Sequence, residues 1–429
     1  MLNLDRSVRV ARAVALATAG ALAITLLPAQ PALAANYIGS GFFGVHDSAP
    51  VGTGVAGWPK ASVGSIRIWD NGVSWRELEV APGVWDEAKL AQLTAIVDTA
   101  RSKGSHALLV LGQTPAFHSS SPTQTAFYGP GAAAMPSLSA WRAYIRKVAT
   151  LLRGKGVSYQ VWNEANVVGF WRGTPKQMAK LTQIADGVLR QVDPKATLVA
   201  PALGTRLGGN SGTGYLDKFY AQRVGGRPVA AYVDAVSLQL YPLASGSPES
   251  SMAQLRKAKG ILAKRRVTKP IWNTEVNYGL VGGTGGSVPR LSNARQSAYV
   301  ARTYVLNAAN GVKRVYWYSW DLQGLANTRM TYADQHTVTP AGKAFGVVRS
   351  WLLNTRMVGC SRNRAGTYTC LISYASGKKR VYWNPSHNVY VRTAKSATWK
   401  QGVGGAKSRV RGGQRLRVGP SPVLVRSRR

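Results

Sequence analysis

The segment SYQVWNE at Ser158–Glu164 and the helical pattern at Pro175–Val192 that follows it decide the fold. The first part carries Tyr, Val and Trp in a short run, which is typical of a buried strand. The second part opens with Thr174 and Pro175, a helix start signal with proline in the first turn. A strand followed by a helix is one β/α unit, and this unit recurs along the chain.

Eight β-type runs alternate with helical patterns between residues 35 and 354. The runs are Gly41–Val45, Ser65–Trp69, His106–Leu111, Ser158–Trp162, Thr197–Ala200, Asp234–Leu238, Pro270–Thr274 and Val312–Trp317. The helical patterns are Asp86–Lys103, Leu138–Leu152, Pro175–Val192, Gly214–Arg223, Pro248–Arg266, Arg290–Ala309 and Pro340–Leu353. Such alternation implies a parallel sheet, and eight runs favour a closed (β/α)₈ TIM barrel. A doubly wound open sheet is the runner-up, but Gly41–Gly44 lacks the GxGxxG pattern of its nucleotide-binding turn.

The composition excludes several classes of protein. The 429 residues are 45% hydrophobic and 17% charged, which excludes a disordered chain. Two cysteines exclude a disulfide-dense scaffold and a cysteine-rich zinc module. The five histidines show no close ligand spacing, so we expect no metal site and no cofactor.

Residues 1–34 have the pattern of a cleaved secretory signal. Arg6, Arg9 and Arg12 precede an uncharged apolar run, and Ala32–Ala34 supplies the small-residue cleavage site. An uncleaved membrane anchor is the alternative, and no later stretch is long and apolar enough to span a bilayer. We therefore expect a protein that is secreted, extracellular or cell-wall-associated, with no membrane span after cleavage.

A change in charge marks a second domain. The chain has 55 Lys+Arg against 17 Asp+Glu, a net charge of +38, and no Asp or Glu occurs after residue 354. We predict a catalytic barrel at 35–354 and a small, basic, all-β, sandwich-like domain at 355–429. Cys360 and Cys370 are close in sequence in an exported protein, so we expect them to form a disulfide.

The segment SRVRGGQRLRV at Ser408–Val418 predicts a β-hairpin. A three-residue loop at Gly412–Gln414 buries Val410, Leu416 and Val418 on one face. The opposite face then carries the pairs Arg411 with Arg415 and Arg409 with Arg417. Clustered arginines repel unless an anion is present. Retention on an anionic cell-wall polymer or acidic polysaccharide is one hypothesis, and a solvated basic surface is the other. No nucleic-acid recognition module is present, so we expect no specific nucleic acid partner.

Two glutamates directly follow β-type runs. Glu164 ends the fourth run and Glu275 the seventh, each after a Trp and an Asn. In a (β/α)₈ TIM barrel the catalytic residues lie at the carboxyl ends of the strands, so the two carboxyls should share one face. Cleavage of a glycosidic bond needs such a pair, one as proton donor and one as nucleophile or base. For either glutamate alone, a strand cap or an arginine partner is the alternative.

The residues around these glutamates resemble clan A retaining glycoside hydrolases. VWNEAN at Val161–Asn166 resembles their Asn-Glu-Pro signature, with Ala165 in place of the proline. IWNTE at Ile271–Glu275 resembles their strand-7 segment. Further segments resemble their strands 2, 6 and 8, namely Ser65–Trp69, Gln239–Tyr241, where Gln239 replaces a frequent His, and Trp317–Trp320. The resemblance covers the whole barrel and is closest to the branches near families 39 and 5.

The resemblance implies double displacement at a β-type O-glycosidic bond of a polysaccharide or oligosaccharide, with no metal or cofactor. Glu275 would be the nucleophile and Glu164 the acid/base. Supporting roles fall to Arg67 and Tyr241 beside the nucleophile, Asn163 at the 2-hydroxyl and Trp320 as the floor of the subsite. Strand-end and loop positions suggest further sugar contacts by His46, His118, Trp171 and Tyr278, with a structural role in the core as the alternative for each. A non-catalytic glycan-binding or cell-wall-associated barrel is the alternative.

Overall fold

The computed structural model describes residues 36–49, 57–206, 212–243, 245–279, 291–321 and 327–428. The predicted signal at 1–34 lies outside these ranges and stays a prediction. Among the helices within these ranges, none combines the length and the apolar character needed to cross a bilayer.

Eight parallel strands form the predicted TIM barrel. The strands up to residue 317 are, in chain order, β1 (Asn36–Ile38), β2 (Phe43–His46), β3 (Ser65–Ile68), β4 (Glu79–Ala81), β5 (Val84–Trp85), β6 (His106–Leu111), β7 (Ser158–Val161), β8 (Thr197–Val199), β9 (Arg223–Val224), β10 (Arg227–Pro228), β11 (Val236–Gln239), β12 (Ile271–Val276) and β13 (Arg314–Trp317). The barrel order is β11-β12-β13-β2-β3-β6-β7-β8. A parallel bridge between Val199 and Ala235, with the amide of Ala200 donating to the Ala235 carbonyl at 2.9 Å, joins β8 back to the start of β11.

The described helices surround this barrel. They are α1 (Trp75–Leu78), α2 (Glu87–Ser102), α3 (Leu138–Leu151), α4 (Pro175–Val192), α5 (Thr213–Tyr220), α6 (Pro248–Lys264), α7 (Asn293–Ala309) and α8 (Pro340–Leu352). All except the short α1 lie on predicted helical patterns. At the start of α4, the Thr174 hydroxyl accepts from the Gln177 amide at 3.2 Å, and the Gln177 side chain accepts from the Thr174 amide at 2.7 Å. This capping box satisfies backbone donors that would otherwise lack a partner.

Most barrel strands are buried along their whole length, which explains why they read as apolar runs. Every residue of β2, β3, β7 and β11 is buried. Their buried polar residues include Arg67 in β3, Gln160 in β7 and Gln239 in β11. Buried polar groups need hydrogen-bond partners, and these three find them in one network at the site described below.

The C-terminal residues form the predicted all-β domain. Its strands are β14 (Thr355–Arg362), β15 (Tyr368–Tyr374), β16 (Gly377–Trp383), β17 (Val389–Arg392), β18 (Ala397–Gly402), β19 (Lys407–Arg409), β20 (Arg415–Val418) and β21 (Val423–Ser427). One sheet has the order β1-β14-β15-β16-β21-β18-β19, and β17 and β20 form a separate two-stranded ribbon. A small core that includes Tyr382, Leu416 and Val425 contains residues of both sheets. Strand β1 therefore belongs to the sheet of the C-terminal domain, although it precedes the barrel in sequence.

The predicted hairpin at Ser408–Val418 is wrong. Strand β19 pairs with β18, and β20 pairs with β17. The chain crosses between the two sheets at Gly412, where a Cβ atom would lie 1.7 Å from the carbonyl oxygen of Lys395. Arg415 therefore lies opposite Arg392 instead of Arg411. The predicted buried face is still correct, because Val410, Leu416 and Val418 are at most 8% exposed.

A disulfide links two strands within the β domain, and hydrogen bonds join the domain to the helices around the barrel. Cys360 and Cys370 are opposite each other in β14 and β15 and form a disulfide. The Trp383 indole donates to Glu249 Oε1 of α6 at 2.9 Å, which links the sheet to the helices around the barrel. The Trp351 indole of α8 donates to Gln401 Oε1 of β18, also at 2.9 Å.

Candidate active site

Glu164 and Glu275 lie at the carboxyl ends of the barrel strands. Glu164 follows β7, and Glu275 is the residue before the last in β12. Between β7 and Glu164 the backbone turns, with φ of 67° at Trp162 and 36° at Glu164. The neighbouring segment holds this turn, because the Ala202 amide donates to the Trp162 carbonyl at 3.1 Å. Parallel strands end at the same face of a barrel, so both carboxyls face one pocket.

Two donors hold the carboxylate of Glu275. The guanidinium of Arg67 donates to Oε1, and the Tyr241 hydroxyl donates to Oε2 at 2.9 Å. Arg67 is fully buried, and Glu275 is 6% exposed. Three strands therefore meet at one carboxylate, and we call the space bounded by Arg67, Glu164, Tyr241 and Glu275 the carboxylate pocket.

Arg67 also connects the pocket to the strands beside it. Its Nε donates to Gln160 Oε1 at 2.9 Å, and its second terminal nitrogen donates to Asn163 Oδ1 at 2.7 Å. Gln239 Nε2 donates to the same oxygen at 2.9 Å. With its oxygen occupied by two donors, the amide group of Asn163 keeps its NH₂ end for a further partner. The side chain of Gln239, where relatives often have His, thus has a role of its own in this network.

The surroundings give the two glutamates different protonation. Burial and then the charge of Glu275 raise the pKa of Glu164 to about 8, against smaller opposing effects of Arg206 and Arg67. Burial also raises the pKa of Glu275, but the charge of Arg67 and the Tyr241 hydrogen bond oppose that rise. Within the described residues, no hydrogen bond to the Glu164 carboxyl is present. Because donors hold only Glu275, the proton is favoured on Glu164 and the negative charge on Glu275.

A third carboxylate, which the sequence reasoning missed, lies beside Glu275. The hydroxyl of Tyr128 donates to Asp70 Oδ1, and the hydroxyl of Tyr318 donates to Asp70 Oδ2 at 2.9 Å. Asp70 follows β3 at the same end of the barrel as Glu275, and its charge contributes to the raised pKa of Glu275. The signal was available, because Asp70 follows β3 just as Glu164 follows β7. A search confined to glutamates passed over it.

Three aromatic residues predicted to contact sugar are largely buried. Trp320, Tyr278 and Trp171 are 3%, 1% and 2% exposed. The Trp320 ring packs against Phe345 of α8 at 6.1 Å between centroids, and the Trp171 ring against Trp162 at 4.9 Å. The Tyr278 hydroxyl bonds to Thr303 of α7 at 2.7 Å. Beyond β13, Tyr318, two residues before Trp320, donates its hydroxyl to Asp70.

The two predicted histidines each lie beside a carboxylate. His46 is fully buried, which lowers its pKa, and its Nε2 lies 3.7 Å from Asp70 Oδ2. His118 lies 2.9 Å from Oε1 of Glu79. Glu79 itself is buried and also accepts from the Trp75 indole at 2.6 Å. A buried carboxylate needs such partners.

Aromatic rings line one side of the pocket. Trp69, directly before Asp70, lies edge-on to Tyr128 with ring centroids 5.3 Å apart. Phe170 lies 5.9 Å from Tyr128, and Phe127 extends this group outward with a ring that is 67% exposed. Flat aromatic surfaces beside polar groups are typical of ligand sites. Among the described residues, no group of three or more His, Cys, Asp or Glu could hold a metal ion.

Comparison with known proteins shows which class of enzyme the chain resembles. Residues 144–345 match the family model described as glycosyl hydrolase catalytic core. This segment of the chain therefore resembles a glycoside hydrolase catalytic core. It includes both Glu164 and Glu275, so the glycosidase assignment covers the pair that the barrel brings together. None of the curated protein sequences matches the chain significantly.

Solved structures of glycoside hydrolases share the fold of this glycosidase. A family 39 glycoside hydrolase from Bacteroides cellulosilyticus WH2 has a TM-score of 0.63 at 18% identity, over 85% of this chain and 76% of that chain. A glucosidase from Croceicoccus marinus has a TM-score of 0.65 at 14% identity, over 92% and 98%. A family 39 β-xylosidase from Caulobacter crescentus has a TM-score of 0.62 at 16% identity, over 93% and 98%. The chain thus resembles the clan A glycoside hydrolases, as predicted, with family 39 among its structural relatives.

Proposed function

We propose that the protein is a retaining glycosidase that cleaves a β-type O-glycosidic bond by double displacement. The observation that carries the proposal is the asymmetry of the pair. Arg67 and Tyr241 donate to Glu275 and stabilise it as a carboxylate, whereas burial and the charge of Glu275 raise the pKa of Glu164 to about 8. A nucleophile needs the first environment, and a general acid needs the second.

In the first step, a Glu275 oxygen attacks the anomeric carbon. The bond from that carbon to the leaving oxygen breaks, and the leaving oxygen takes the proton of Glu164. In the second step, the ionised Glu164 removes a proton from water, and the resulting hydroxide attacks the anomeric carbon and releases Glu275. The NH₂ group of Asn163 would donate to the 2-hydroxyl of the sugar, a contact that strengthens in the transition state.

Substituting each glutamate tests these roles. With Glu275→Ala, turnover of every substrate should disappear, and azide should restore it with an inverted glycosyl azide as product. With Glu164→Ala, an activated aryl glycoside should still form the covalent intermediate, and azide should give the retained product, because azide needs no base. Glu87→Ala, which changes a carboxylate that is 79% exposed on α2, is the matched control.

The outcome also separates the enzyme from its alternative. If wild type turns over no aryl glycoside or polysaccharide but binds one, the barrel is a glycan-binding protein. If Glu164→Ala and Glu275→Ala are equally inactive on activated substrates and azide rescues neither, the assigned roles are wrong. Solved relatives are described as a β-xylosidase, a glucosidase and an endoxylanase. Xylan- and glucan-derived oligosaccharides are therefore the first substrates to test.

We further propose that the protein is secreted through the signal at 1–34 and held on an anionic polymer by its basic C-terminal domain. The face of the β17–β20 ribbon opposite its buried side exposes Tyr390, Arg392, Arg415 and Arg417. The guanidinium of Arg415 lies 4.6 Å from the Tyr390 ring centroid. Positive charge without neighbouring acid, together with an exposed ring, suits an acidic polysaccharide.

The ribbon proposal is tested by charge reversal. Changing Arg392, Arg415 and Arg417 to Glu should lower the salt concentration at which the protein elutes from immobilised polygalacturonate. The control reverses three exposed lysines in the barrel, Lys103, Lys176 and Lys195, with the same change in net charge. Equal loss in both variants would mean that only the net charge matters and that the ribbon is a solvated surface.

A further inference from the structure

The carboxylate pocket is acidic, although the chain as a whole is strongly basic. Asp70, Glu164 and Glu275 face it together with one buried cation, Arg67. With Glu164 protonated, the other three groups sum to one negative charge. The sequence carries a net charge of +38. The charge that a bound sugar meets is therefore opposite in sign to the charge of the whole protein.

Asp70 is held rigidly at the edge of this pocket. Tyr128 and Tyr318 each donate to one of its oxygens. The loop that carries it is fixed by Asn71, whose Oδ1 accepts from the Trp69 amide at 3.0 Å and whose Nδ2 donates to the Asp47 carbonyl at 2.6 Å. A carboxylate can accept about four hydrogen bonds, and the two tyrosines use only part of this capacity. The Asp70 side chain is 19% exposed, so its remaining acceptor positions are open to a ligand.

We propose that Asp70 accepts hydrogen bonds from hydroxyl groups of the sugar ring that Glu275 attacks, and that it makes this subsite selective for an uncharged sugar over a uronic acid. The inference rests on the proposed function, because it concerns the same ring that undergoes cleavage. Hydroxyl groups are donors, which matches a site that presents an acceptor. Tyr128 and Tyr318 direct their own hydrogens to Asp70 and so orient its free lone pairs.

The same geometry disfavours a sugar carboxylate. A uronate would add negative charge beside Asp70 and Glu275, in a partly dry pocket where Coulomb repulsion is strong. Arg67 is already engaged by Glu275, Gln160 and Asn163. His46 offers no positive charge, because burial lowers its pKa. Arg206 is a further positive charge, and it acts on Glu164, which protonates the leaving oxygen. Arg206 is therefore assigned to the leaving-group side, and the inference concerns only the sugar ring that Glu275 attacks.

The test compares Asp70→Asn with Asp98→Asn. Asp98 is a surface carboxylate of α2 that pairs with Lys155 and is 46% exposed, so its loss leaves the pocket unchanged. The substrates are dinitrophenyl β-glycosides of glucose, xylose, xylotriose, cellotriose and glucuronic acid. We expect the wild type to favour the neutral glycosides over the glucuronide. Asp70→Asn should raise KM for neutral glycosides by about ten- to a hundredfold, as loss of a hydrogen bond to a charged group does.

Two further readouts distinguish recognition from a merely structural role. Removing the Asp70 charge should lower the pKa of Glu275, so the acid limb of kcat/KM should move to lower pH. The preference of Asp70→Asn for the glucoside over the glucuronide should also be smaller than that of the wild type. Tyr318→Phe, which keeps the carboxylate and removes one of its donors, should raise KM in the same direction by a smaller factor.

Several results would overturn the inference. They are a wild-type preference for the glucuronide, the same kinetics in Asp70→Asn as in Asp98→Asn, or a loss confined to kcat without a shift of the acid limb. Glu275→Ala is measured in parallel. If it keeps wild-type turnover, or if wild type cleaves no glycoside at all, the proposed function has failed. If it is inactive while Asp70→Asn is unchanged, only the role of Asp70 has failed.

Discussion

Gly204 offers a test of Glu164 that leaves both glutamates in place. A Cβ atom built on Gly204 would lie 2.7 Å from Glu164 Oε1, whereas ordinary contact begins at 3.4 Å. In Gly204→Ala, the carboxyl must therefore move by at least 0.7 Å, the difference between these two distances. The backbone cannot easily retreat, because the Gly204 amide donates to Asn166 Oδ1 and its carbonyl accepts from Asn166 Nδ2, both at 2.9 Å.

The displaced carboxyl should protonate the leaving group poorly. A misplacement of about 1 Å can cost roughly a hundredfold in rate, so we expect kcat to fall by about ten- to a hundredfold on a methyl or other unactivated glycoside. On a dinitrophenyl glycoside the loss of the first step should be small, since that leaving group needs no proton. Presteady-state release of dinitrophenol measures the rate of the first step directly. Release of reducing sugar measures turnover of the unactivated glycoside.

The control is Gly187→Ala in α4, where an added Cβ meets nothing within 4 Å. It should keep wild-type kinetics and stabilise the helix by about 1 kcal/mol. The reasoning is refuted if Gly204→Ala loses the same factor on both classes of leaving group while its melting temperature matches that of the wild type. That result would mean that the displaced group is not the proton donor.

Three other predictions follow from titration and from the disulfide. In Glu275→Gln, the pKa of Glu164 should fall below about 8 but stay above 4.5, because the Glu275 charge is lost while burial remains; ¹³C NMR of labelled glutamate measures it, and an unchanged pKa contradicts the coupling. Burial raises the pKa of Asp47 to about 8, so the folded state keeps a proton that the unfolded state loses above its normal pKa of 3.8, and stability should fall as pH rises between these values. Asp47→Asn should remove up to about 1.4 kcal/mol per pH unit of this slope in urea unfolding, and an unaltered slope would count against it. Replacing Cys360 and Cys370 with Ser should destabilise the β domain by about 3 kcal/mol in thermal unfolding, with little effect on turnover at 25 °C; a loss of turnover without unfolding would contradict this.

The barrel could be predicted from the sequence because its signals are local. A parallel strand with both faces covered reads as an apolar run, and each helix carries its own start signal. The pair Glu164 and Glu275 was accessible for the same reason, since each directly follows such a run. Nothing more than the order of strands was needed to place them on one face.

The errors arose where the answer depends on distant partners. Strand β1 is only three residues long and pairs with β14, more than three hundred residues away. The segment Ser408–Val418 looks like a hairpin, but each of its strands finds a better-buried partner in another part of the chain. Beyond β13, local pattern could not predict the hydrogen bond from Tyr318 to Asp70, because it depends on the direction in which the chain leaves the strand. Trp320 instead packs on Phe345, which lies in α8.

The distribution of charge separates retention from cleavage. In the pocket, the one buried cation, Arg67, is paired with Glu275, and Asp70 adds a negative charge. The exposed arginines of the β17–β20 ribbon, by contrast, belong to a domain whose sequence contains no Asp or Glu. An anionic polymer should therefore bind the ribbon and be excluded from the subsite that Glu275 attacks. It follows that soluble polygalacturonate should displace the protein from an anionic matrix without competing with a neutral aryl glycoside. Competitive inhibition that persists after charge reversal of Arg392, Arg415 and Arg417 would show that the polymer enters the pocket, and both proposals would then have to be revised together.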